Sequence, residues 1–391
     1  MLPSYFRLRR SPLLPIFLIV CVDVLGLTLI LPLLPFYAEK LGASPTVVGL
    51  LVSTYALCQL VAGPMLGRMS DHVGRRPLLL VSQAGTFIGF LILAYANQLW
   101  LVFLSRAIDG LTAGNLSLAQ AYISDVTKPE ERAKSFALIG IAFGLGFLVG
   151  PGVSGYLSGF NYRYPIFGAA GLSFTSILCT YFLLPSHAPN KDGQPQKKFT
   201  ILAWDRYAEF FRRRELAPLL WQFFAFSFVF ALFMSGFPLF AERRFTWHNK
   251  PFGPKQVGYI YAYVGFLGIV LQGGLIGRLV KTFGEAKLAR AGFFLTAVGF
   301  AVLGFTYRIP LLLVVAALTG VGTGGLRPAL TSLITQKAER TEQGAVLGLT
   351  QSLMSVSQIT APFVAGLLIN QYWLIAWALL GAGVAALALL L

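Results

Sequence analysis

The stretch VAGPMLGRMSDHVG occupies residues 61–74, and the related stretch LQGGLIGRLVKTFG occupies residues 271–284. Both join long apolar segments, and they share three glycines and an arginine. Gly63, Gly67, Arg68 and Gly74 align with Gly273, Gly277, Arg278 and Gly284. An internal repeat of this length indicates that the chain is built from two related halves.

The repeat extends outward from these two stretches. LPFYAEK at 34–40 matches FPLFAER at 237–243. Further along, the equivalent positions are Gly110 and Gly114 with Gly320 and Gly324, and Pro151 and Gly155 with Pro362 and Gly366. Parallel repeats in an apolar chain are typical of transporters whose substrate site lies between the halves.

The composition is that of a membrane protein. Of the 391 residues, 56% are hydrophobic and 12% charged, against about 25% charged in ordinary soluble domains. Twelve spans of about 20 residues would take about 240 residues and leave no room for a sizeable soluble domain. We predict an all-α integral membrane protein in which 12 transmembrane helices form two pseudo-symmetric six-helix bundles. A water-soluble enzyme is excluded.

Apolar runs and polar breaks divide the chain into three parts. Residues 1–184 are predicted to form the first bundle, residues 185–217 a cytoplasmic linker, and residues 218–391 the second bundle. The predicted helices cover 14–36, 46–67, 77–97, 99–125, 133–158, 163–184, 218–240, 256–280, 286–306, 309–334, 343–369 and 371–391. A surface helix is expected around 204–211 in the linker.

The basic residues predict the orientation in the membrane. The formal net charge is +16, and 22 of the Lys and Arg residues fall on the predicted inner side against 7 on the outer side. Both termini are therefore predicted to be cytoplasmic in a multi-pass inner-membrane protein. The asymmetry explains the net charge without a nucleic-acid partner.

Charged side chains inside a bilayer cost about 2.5–3.5 kcal/mol each on insertion scales, so those retained are candidates for function. Four lie inside the predicted spans and away from their ends: Asp23, Arg106, Asp109 and Arg327. Asp23 lies about 13 Å along the first helix, close to the membrane midplane. Asp109 reaches a similar depth, and Arg106 precedes it by one helical turn, so the two can pair.

A carboxyl group without water resists ionisation, so it can hold a proton in one conformation and release it in another. Asp23 is predicted to carry the coupled proton, the alternative being a polar packing residue. Asp109 either titrates or serves only as the structural partner of Arg106. Arg327 either binds an anionic group in the cavity or extends to the membrane interface.

The loop GRMSDHVGRRP at 67–77 resembles the signature loop of the major facilitator superfamily. The matching residues are Gly67, Asp71, Gly74, Arg75 and Arg76. The resemblance implies a gating latch in which the loop aspartate and arginine bind an acidic residue that ends helix 4, here Asp125. Lys281 and Glu285 stand at the positions of Asp71 and Arg75 in the second copy, so a second latch is expected to be weaker or reversed.

The fifth predicted helix carries GLGFLVGPGVSG at 144–155. Small residues at a spacing of four allow close helix packing. The segment resembles the antiporter motif of the superfamily through Gly146, Gly150, Pro151 and Gly155. Arg106 and Gly110 likewise resemble the arginine-containing motif of helix 4, although Asp109 replaces the usual glutamine.

Nearly the whole chain is similar to the tetracycline-efflux type of drug:proton antiporter. The resemblance implies a monomer that exports a small amphipathic compound in exchange for protons by alternating access, with the lipid bilayer as its surroundings. The proton gradient supplies the energy, and no cofactor or metal is expected. A proton-coupled importer or facilitator of a sugar, metabolite or lipid on the same fold stays open as the alternative.

Polar residues in the spans are candidates for lining a substrate cavity, or for bonding between helices. They are Gln59, Asn115, Gln120, Gln222, Gln272, Arg327, Gln351 and Gln358. Most of the 33 phenylalanines are expected to face lipid or pack between helices. A membrane enzyme is disfavoured because the chain carries no GxxxxGK[ST], HExxH or GxSxG motif.

Overall fold

The computed structural model describes residues 13–127, 132–185, 204–339 and 342–391. Within these ranges the regular elements are helices and one hairpin of two-residue strands. The first nine helices are α1 (Leu13–Ile30), α2 (Leu34–Lys40), α3 (Pro45–Val73), α4 (Arg75–Tyr95), α5 (Leu99–Leu111), α6 (Asn115–Val126), α7 (Arg132–Ser158), α8 (Arg163–Leu183) and α9 (Trp204–Arg212). The others are α10 (Ala217–Arg244), α11 (Pro254–Val270), α12 (Ile276–Phe283), α13 (Glu285–Gly304), α14 (Ile309–Lys337), α15 (Gln343–Asn370) and α16 (Leu374–Leu390), with strands β1 (Thr246–Trp247) and β2 (Lys250–Pro251).

Ten helical segments among the described residues are long and apolar enough to cross a membrane. The predicted fourth and twelfth spans are not among them. The twelfth, α16, has 17 residues, which is at the lower limit for a span. The fourth is divided into α5 and α6. The all-α membrane fold is confirmed, whereas the continuous fourth helix predicted over 99–125 is wrong.

A serine on a neighbouring helix holds the break between α5 and α6. The Ser82 hydroxyl on α4 donates to the Thr112 carbonyl and accepts the Gly114 N–H at 2.9 Å. Backbone groups that the break frees are thus satisfied within the protein, as the interior of a membrane requires. The break begins three residues after Asp109, so irregular backbone lies beside a buried charge.

Two other predicted helices are irregular. The helix predicted over 14–36 is interrupted by a turn at 31–33, where Pro32 and the following Pro35 cannot donate backbone hydrogen bonds. The eighth span continues from α11 into α12 through a π-helical turn, Leu271–Leu275. This turn coincides with the start of the repeated stretch, and such turns often mark functional positions.

Two faces of the helical bundle are distinguished by their connections. The signature-loop face carries the junction of α3 and α4 at Gly74, and the hairpin face carries β1 and β2 after α10. Gly74 has φ +101° and its repeat partner Gly284 has φ +79°, a region that favours glycine. The repeated glycine therefore allows two long helices to meet at a sharp corner without a loop.

Packing follows the repeat. Within the first part, α1 packs against α7 and α8, and α4 against α5 and α8; within the second, α13 packs against α14 and α16, and α10 against α15. The two parts meet where α3 packs against α15 and α7 against α11. The division of the chain into two bundles joined by a linker at 185–217 stays a prediction. Residues 186–203 of that linker lie outside the described residues, and α9 follows them.

A buried aromatic cluster anchors the short helix α16. The Trp377 side chain has no exposed surface, and its ring centroid lies 4.8 Å from that of Phe240 on α10 and 6.0 Å from that of Phe300 on α13. Close ring packing therefore holds the short helix α16 against α10 and α13. Such dispersion and aromatic contacts stabilise helix packing without any contribution from water.

Trp377→Ala is expected to lower the stability of the purified protein by about 3–5 kcal/mol, because it leaves a large cavity among these rings. Trp100→Ala is the matched control, since the Trp100 side chain is 58% exposed. Thermal unfolding in detergent measures both. Equal unfolding temperatures for the two variants would contradict the anchoring role.

Candidate functional site

The Asp23 carboxyl group lies among neutral polar side chains. Ser176 on α8 and Asn115 on α6, which both carry hydrogen-bond donors, are its polar neighbours. Ser176 accepts a hydrogen bond in turn from the Gln83 amide, at 2.8 Å. Within the described ranges, no Lys, Arg or His forms an ion pair with Asp23. The carboxyl group therefore has hydrogen-bond donors but no counterion.

Arg106 and Asp109 pair on α5 as their spacing predicts. The Arg106 Nη1 to Asp109 Oδ2 distance is 3.1 Å, and the two side chains are only 5% and 6% exposed. Arg106 also donates to Ser105 Oγ at 3.1 Å and stacks over the Phe90 ring at 5.8 Å. Because both groups are buried, removal of either would leave an uncompensated charge.

Tyr55 on α3 is a neighbour of both acidic groups. It lies near Asp23, Asp109 and Arg106, and Gln59 donates to its hydroxyl group at 3.4 Å. The sequence analysis did not single out Tyr55, because a tyrosine in an apolar span carries no motif. Together these side chains form a continuous polar cluster inside the first part of the chain.

The signature loop brings its predicted partners together. Arg75 Nη1 lies 2.5 Å from Asp71 Oδ1, and Arg75 Nε lies 2.9 Å from Asp125 Oδ2. Arg76 donates to the Tyr181 carbonyl on α8 and lies over the Tyr181 ring at 5.6 Å. The loop thus ties α3, α4, α6 and α8 together at one face.

The second copy of the loop uses neutral donors instead. Glu285, at the position of Arg75, accepts hydrogen bonds from Ser332 at 3.1 Å and Gln336 at 3.2 Å, both on α14. In the second copy, neutral hydroxyl and amide donors thus take the place of the ion pairs made by Arg75 in the first copy. The second latch therefore contains no ion pair at Glu285 among the described residues, in line with the weaker latch that the sequence predicts.

Glycines of α7 allow its backbone to pack directly against side chains of α1. A Cβ atom at Gly146 would meet Val24 Cγ1 at 2.5 Å, and one at Gly150 would overlap the Thr28 side chain. Thr28 Oγ1 donates to the Gly146 carbonyl at 2.9 Å, and Ser154 Oγ donates to the Leu29 carbonyl at 2.5 Å. The antiporter-like helix is thereby fixed to the helix that carries Asp23.

The opposite side of α7 packs on α11 of the second part. A Cβ atom at Gly155 would meet the Lys255 carbonyl at 2.8 Å, and one at Gly258 would overlap the Pro151 carbonyl. Backbone therefore faces backbone across this contact. Through α7, the helix that carries Asp23 is connected directly to the interface between the two parts.

A second contact between the parts joins α3 to α15 near the hairpin face. Ser53 Oγ donates to the Ile359 carbonyl at 2.6 Å. Cβ atoms at Gly49 and Gly366 would overlap the Pro362 and Pro45 carbonyl oxygens respectively. These two glycines and two prolines thus allow α3 and α15 to meet backbone to backbone near the hairpin face.

An ion pair spans the two parts at the hairpin face. Arg243 Nη2 at the end of α10 lies 2.6 Å from Glu39 Oε1 on α2, and both side chains are 17% exposed. Arg243 Nη1 also lies 3.2 Å from Glu242 Oε2. Sequence analysis missed this bridge. The signal available to it was the match between segments 34–40 and 237–243, in which Glu39 aligns with Glu242.

Toward the signature-loop face the two parts separate. Nothing lies within 4 Å of a Cβ atom built at Gly63 or Gly67 on α3, or at Gly348 on α15. The same holds for Gly273 and Gly277 along the eighth span. The structure is therefore closed at the hairpin face and opens toward the signature-loop face.

Several predicted cavity residues lie in or beside this opening. Asn115 adjoins Asp23, and Gln59 contacts Tyr55. Gln272, in the π-helical turn, donates to the Gly324 carbonyl at 3.3 Å while its side chain stays exposed. Gln120 and Gln351 are exposed and Gln358 is half-buried, which leaves their amide groups accessible.

Gln222 is a correction to the predicted cavity set. It is buried, and its amide nitrogen donates to the Ala388 carbonyl on α16 at 3.0 Å. An amide in an apolar helix needs a hydrogen-bond partner, and here it finds one on a neighbouring span. Gln222 therefore ties α10 to α16 and does not line the cavity.

Arg327 is an exposed cation on α14 with no ion pair among the described residues. It follows Thr323 by one turn and Gly320 by two, and both of these line a small cavity with Phe230 and Val264. Arg327 therefore lies on the helix face that lines this cavity within the second part.

Comparison with known sequences identifies the family. The sequence model of the Major Facilitator Superfamily matches residues 16–285 and 273–391. The chain belongs to the Major Facilitator Superfamily. It is therefore a multi-pass membrane transporter and not an enzyme.

Curated relatives resemble the chain over most of its length. The class G tetracycline resistance protein of Vibrio anguillarum is 33% identical, over 90% of this chain and 89% of the relative. The class C tetracycline resistance protein of Escherichia coli is 31% identical, over 88% and 86%. Multidrug resistance protein 2 of Bacillus subtilis (strain 168) is 27% identical, over 89% and 86%.

Solved structures share the fold at lower sequence identity. The human organic anion transporter MFSD10 (TETRAN) superposes with a TM-score of 0.72 at 22% identity, over 97% of this chain and 98% of that chain. The nucleoside transporter NupG superposes with a TM-score of 0.76 at 16% identity, with the same coverage. These similarities show the superfamily fold.

Gly150→Ala is expected to destabilise the transporter by about 1–3 kcal/mol, because the added methyl group forces α7 away from α1. Thermal unfolding in detergent measures the change. Gly171→Ala on α8 is the matched control, since nothing lies within 4 Å of its Cβ position. Thr28→Ala should recover part of the loss in the Gly150→Ala background. Unfolding of Gly150→Ala at the wild-type temperature would refute the close packing.

Arg243→Ala is expected to open the hairpin face, because it removes the ion pair between α10 and α2. Spin labels at Asn97→Cys and Arg308→Cys, in a background without native cysteines, report the separation by pulsed electron spin resonance. The distance distribution should gain a longer component. Lys250→Ala, an exposed change in the hairpin, is the control.

A reciprocal exchange tests whether the effect is electrostatic. Glu39→Arg combined with Arg243→Glu should restore the short distance, whereas either reversal alone should not. An unchanged distribution in Arg243→Ala would show that the ion pair does not hold this face closed.

Proposed function

We propose that the protein exports a small amphipathic, drug-like compound in exchange for protons by alternating access. The observation that carries the proposal is the Asp23 carboxyl group, which has hydrogen-bond donors but no counterion in the described structure. A carboxylate in this setting is costly, whereas the neutral acid is readily accommodated. Asp23 is therefore suited to bind a proton in one conformation and release it in another.

The connection through α7 supports coupling to the conformational change. Thr28 and Leu29 on α1 bond to α7, and α7 packs on α11 across the interface. A shift of α1 on protonation of Asp23 reaches the interface through the hydrogen bonds between α1 and α7 and the backbone contact of α7 with α11. Proton and substrate then drive export because each favours a different conformation. Each can shift the conformational equilibrium only by the difference between its affinities for the two conformations.

The proposed orientation places the signature-loop face in the cytoplasm. The distribution of 22 basic residues against 7 supports it. The cavity of this structure would then open to the cytoplasm, ready to load substrate, in the inner membrane with both termini inside. The Asp71, Arg75 and Asp125 bridge would act at the cytoplasmic gate, and Glu39 with Arg243 at the outer gate. A monomer suffices for this cycle, and the proton gradient replaces any cofactor.

The proposed substrate class follows from the cavity and the relatives. Amide groups of Gln59, Asn115 and Gln272 offer neutral hydrogen bonds, and Phe230 and Val264 add apolar surface in a small cavity within the second part. Such a lining accepts flat amphipathic molecules. Because curated relatives are named tetracycline and multidrug resistance proteins, tetracycline is the first compound to test.

Asp23→Asn is expected to abolish gradient-driven transport, because the amide cannot exchange a proton. In proteoliposomes with an imposed proton gradient, labelled tetracycline should accumulate with the wild type and not with the variant. Exchange of labelled for unlabelled compound without a gradient should persist in Asp23→Asn, since substrate binding is retained.

Glu215→Gln is the matched control, because its side chain is 71% exposed and lies outside the spans. It should transport as the wild type does. Full gradient-driven accumulation in Asp23→Asn would remove Asp23 from the coupling role. If labelled tetracycline equilibrates across the membrane in the wild type without accumulating, the protein is a facilitator and not an antiporter.

A further inference from the structure

Arg244, at the end of α10, differs from its neighbour Arg243. Its guanidinium group lies 5.4 Å from the Phe240 ring centroid and 4.4 Å from that of Tyr307. Its Nε atom is buried without a hydrogen bond. Among the described residues Arg244 has no carboxylate partner, whereas Arg243 binds both Glu39 and Glu242.

A cavity of about 650 Å³ opens beside Arg244 at the hairpin face. Its polar wall is formed by Arg243 and Arg244. Its other walls are Tyr307, Tyr372, Trp373, Leu374, Ile375 and Leu379. The three aromatic side chains are 61–74% exposed, so the cavity combines an arginine with an accessible aromatic rim.

All residues that line the cavity belong to the second part of the chain. Its lining comes from α10, from the connection of α13 to α14, and from the connection of α15 to α16 with the first turns of α16. Ile375 and Leu379 lie one turn apart on α16 and are 38% and 44% exposed. An apolar stripe thus runs from the cavity along the last span.

We propose that this cavity binds the headgroup of an anionic phospholipid. The phosphate would lie against the guanidinium of Arg244, and one acyl chain would follow Ile375 and Leu379 along α16. An arginine that lies over two aromatic rings and has no carboxylate partner keeps its planar set of donors available for phosphate oxygens. Exposed tyrosine and tryptophan at the ends of spans are typical of the level of lipid headgroups.

The combination of charge and apolar surface favours a lipid over a free anion. A soluble anion would use Arg244 but would gain nothing from the stripe on α16, whereas an anionic lipid uses both. The site is at the opposite face from the cavity opening, so it is distinct from the proposed substrate path.

The test uses the full-length protein, purified in detergent and depleted of lipid. Native mass spectrometry measures binding of phosphatidylglycerol, with phosphatidylcholine as the zwitterionic comparison. The wild type is expected to prefer phosphatidylglycerol. Arg244→Gln should weaken that binding about tenfold, as expected for loss of one charge-assisted contact, and leave phosphatidylcholine binding unchanged.

Arg308→Gln is the matched control, because Arg308 follows Tyr307, is exposed and does not line the cavity. It should bind as the wild type does. Tyr372→Glu is a second variant that keeps the test decisive if Arg244→Gln folds poorly. The Tyr372 side chain is 74% exposed, and a carboxylate there should repel the anionic headgroup.

Wild-type phosphatidylglycerol binding in both Arg244→Gln and Tyr372→Glu would overturn the proposal. Equal weakening by Arg308→Gln would show a general charge effect and would also overturn it. If glycerol 1-phosphate at the same concentration as the lipid abolishes phosphatidylglycerol binding, the site binds a free anion and the lipid proposal is rejected.

Discussion

The structure depends on the close packing of α7. Glycines at 146 and 150 allow the α7 backbone to contact the Val24 and Thr28 side chains of α1, and those at 155 and 258 allow the backbones of α7 and α11 to contact each other. These contacts leave no free space, so a displacement of one helix is passed to the next. The packing connects the membrane-embedded Asp23 to the surface on which the two parts of the transporter meet.

Charge is distributed unequally over this framework. Asp23 and the buried pair of Arg106 and Asp109 lie in the first part, whereas Arg327 is an exposed cation in the second part. The closed face is held by Glu39 and Arg243, and the open face carries the Asp71, Arg75 and Asp125 bridge within the first part alone. A transporter that rocks between two states needs such bonds at each face, and they must be weak enough to break.

The sequence predicted the features that depend on local spacing. The spans follow from apolar length, the Arg106 and Asp109 pair follows from helical periodicity, and the superfamily follows from the signature loop. Features set by distant residues were not predictable. The break at 112–114 depends on Ser82 of another helix, Gln222 finds its partner on the last span, and Arg244 lies between rings that the fold alone brings together.

Proton release on substrate binding is the most direct test of the central claim that Asp23 exchanges its proton against substrate. Purified transporter in weakly buffered detergent would be mixed with tetracycline while a pH indicator records released protons and fluorescence records binding. The account predicts proton release by the wild type and none by Asp23→Asn, although both bind the compound. Equal release by Asp23→Asn would contradict the account.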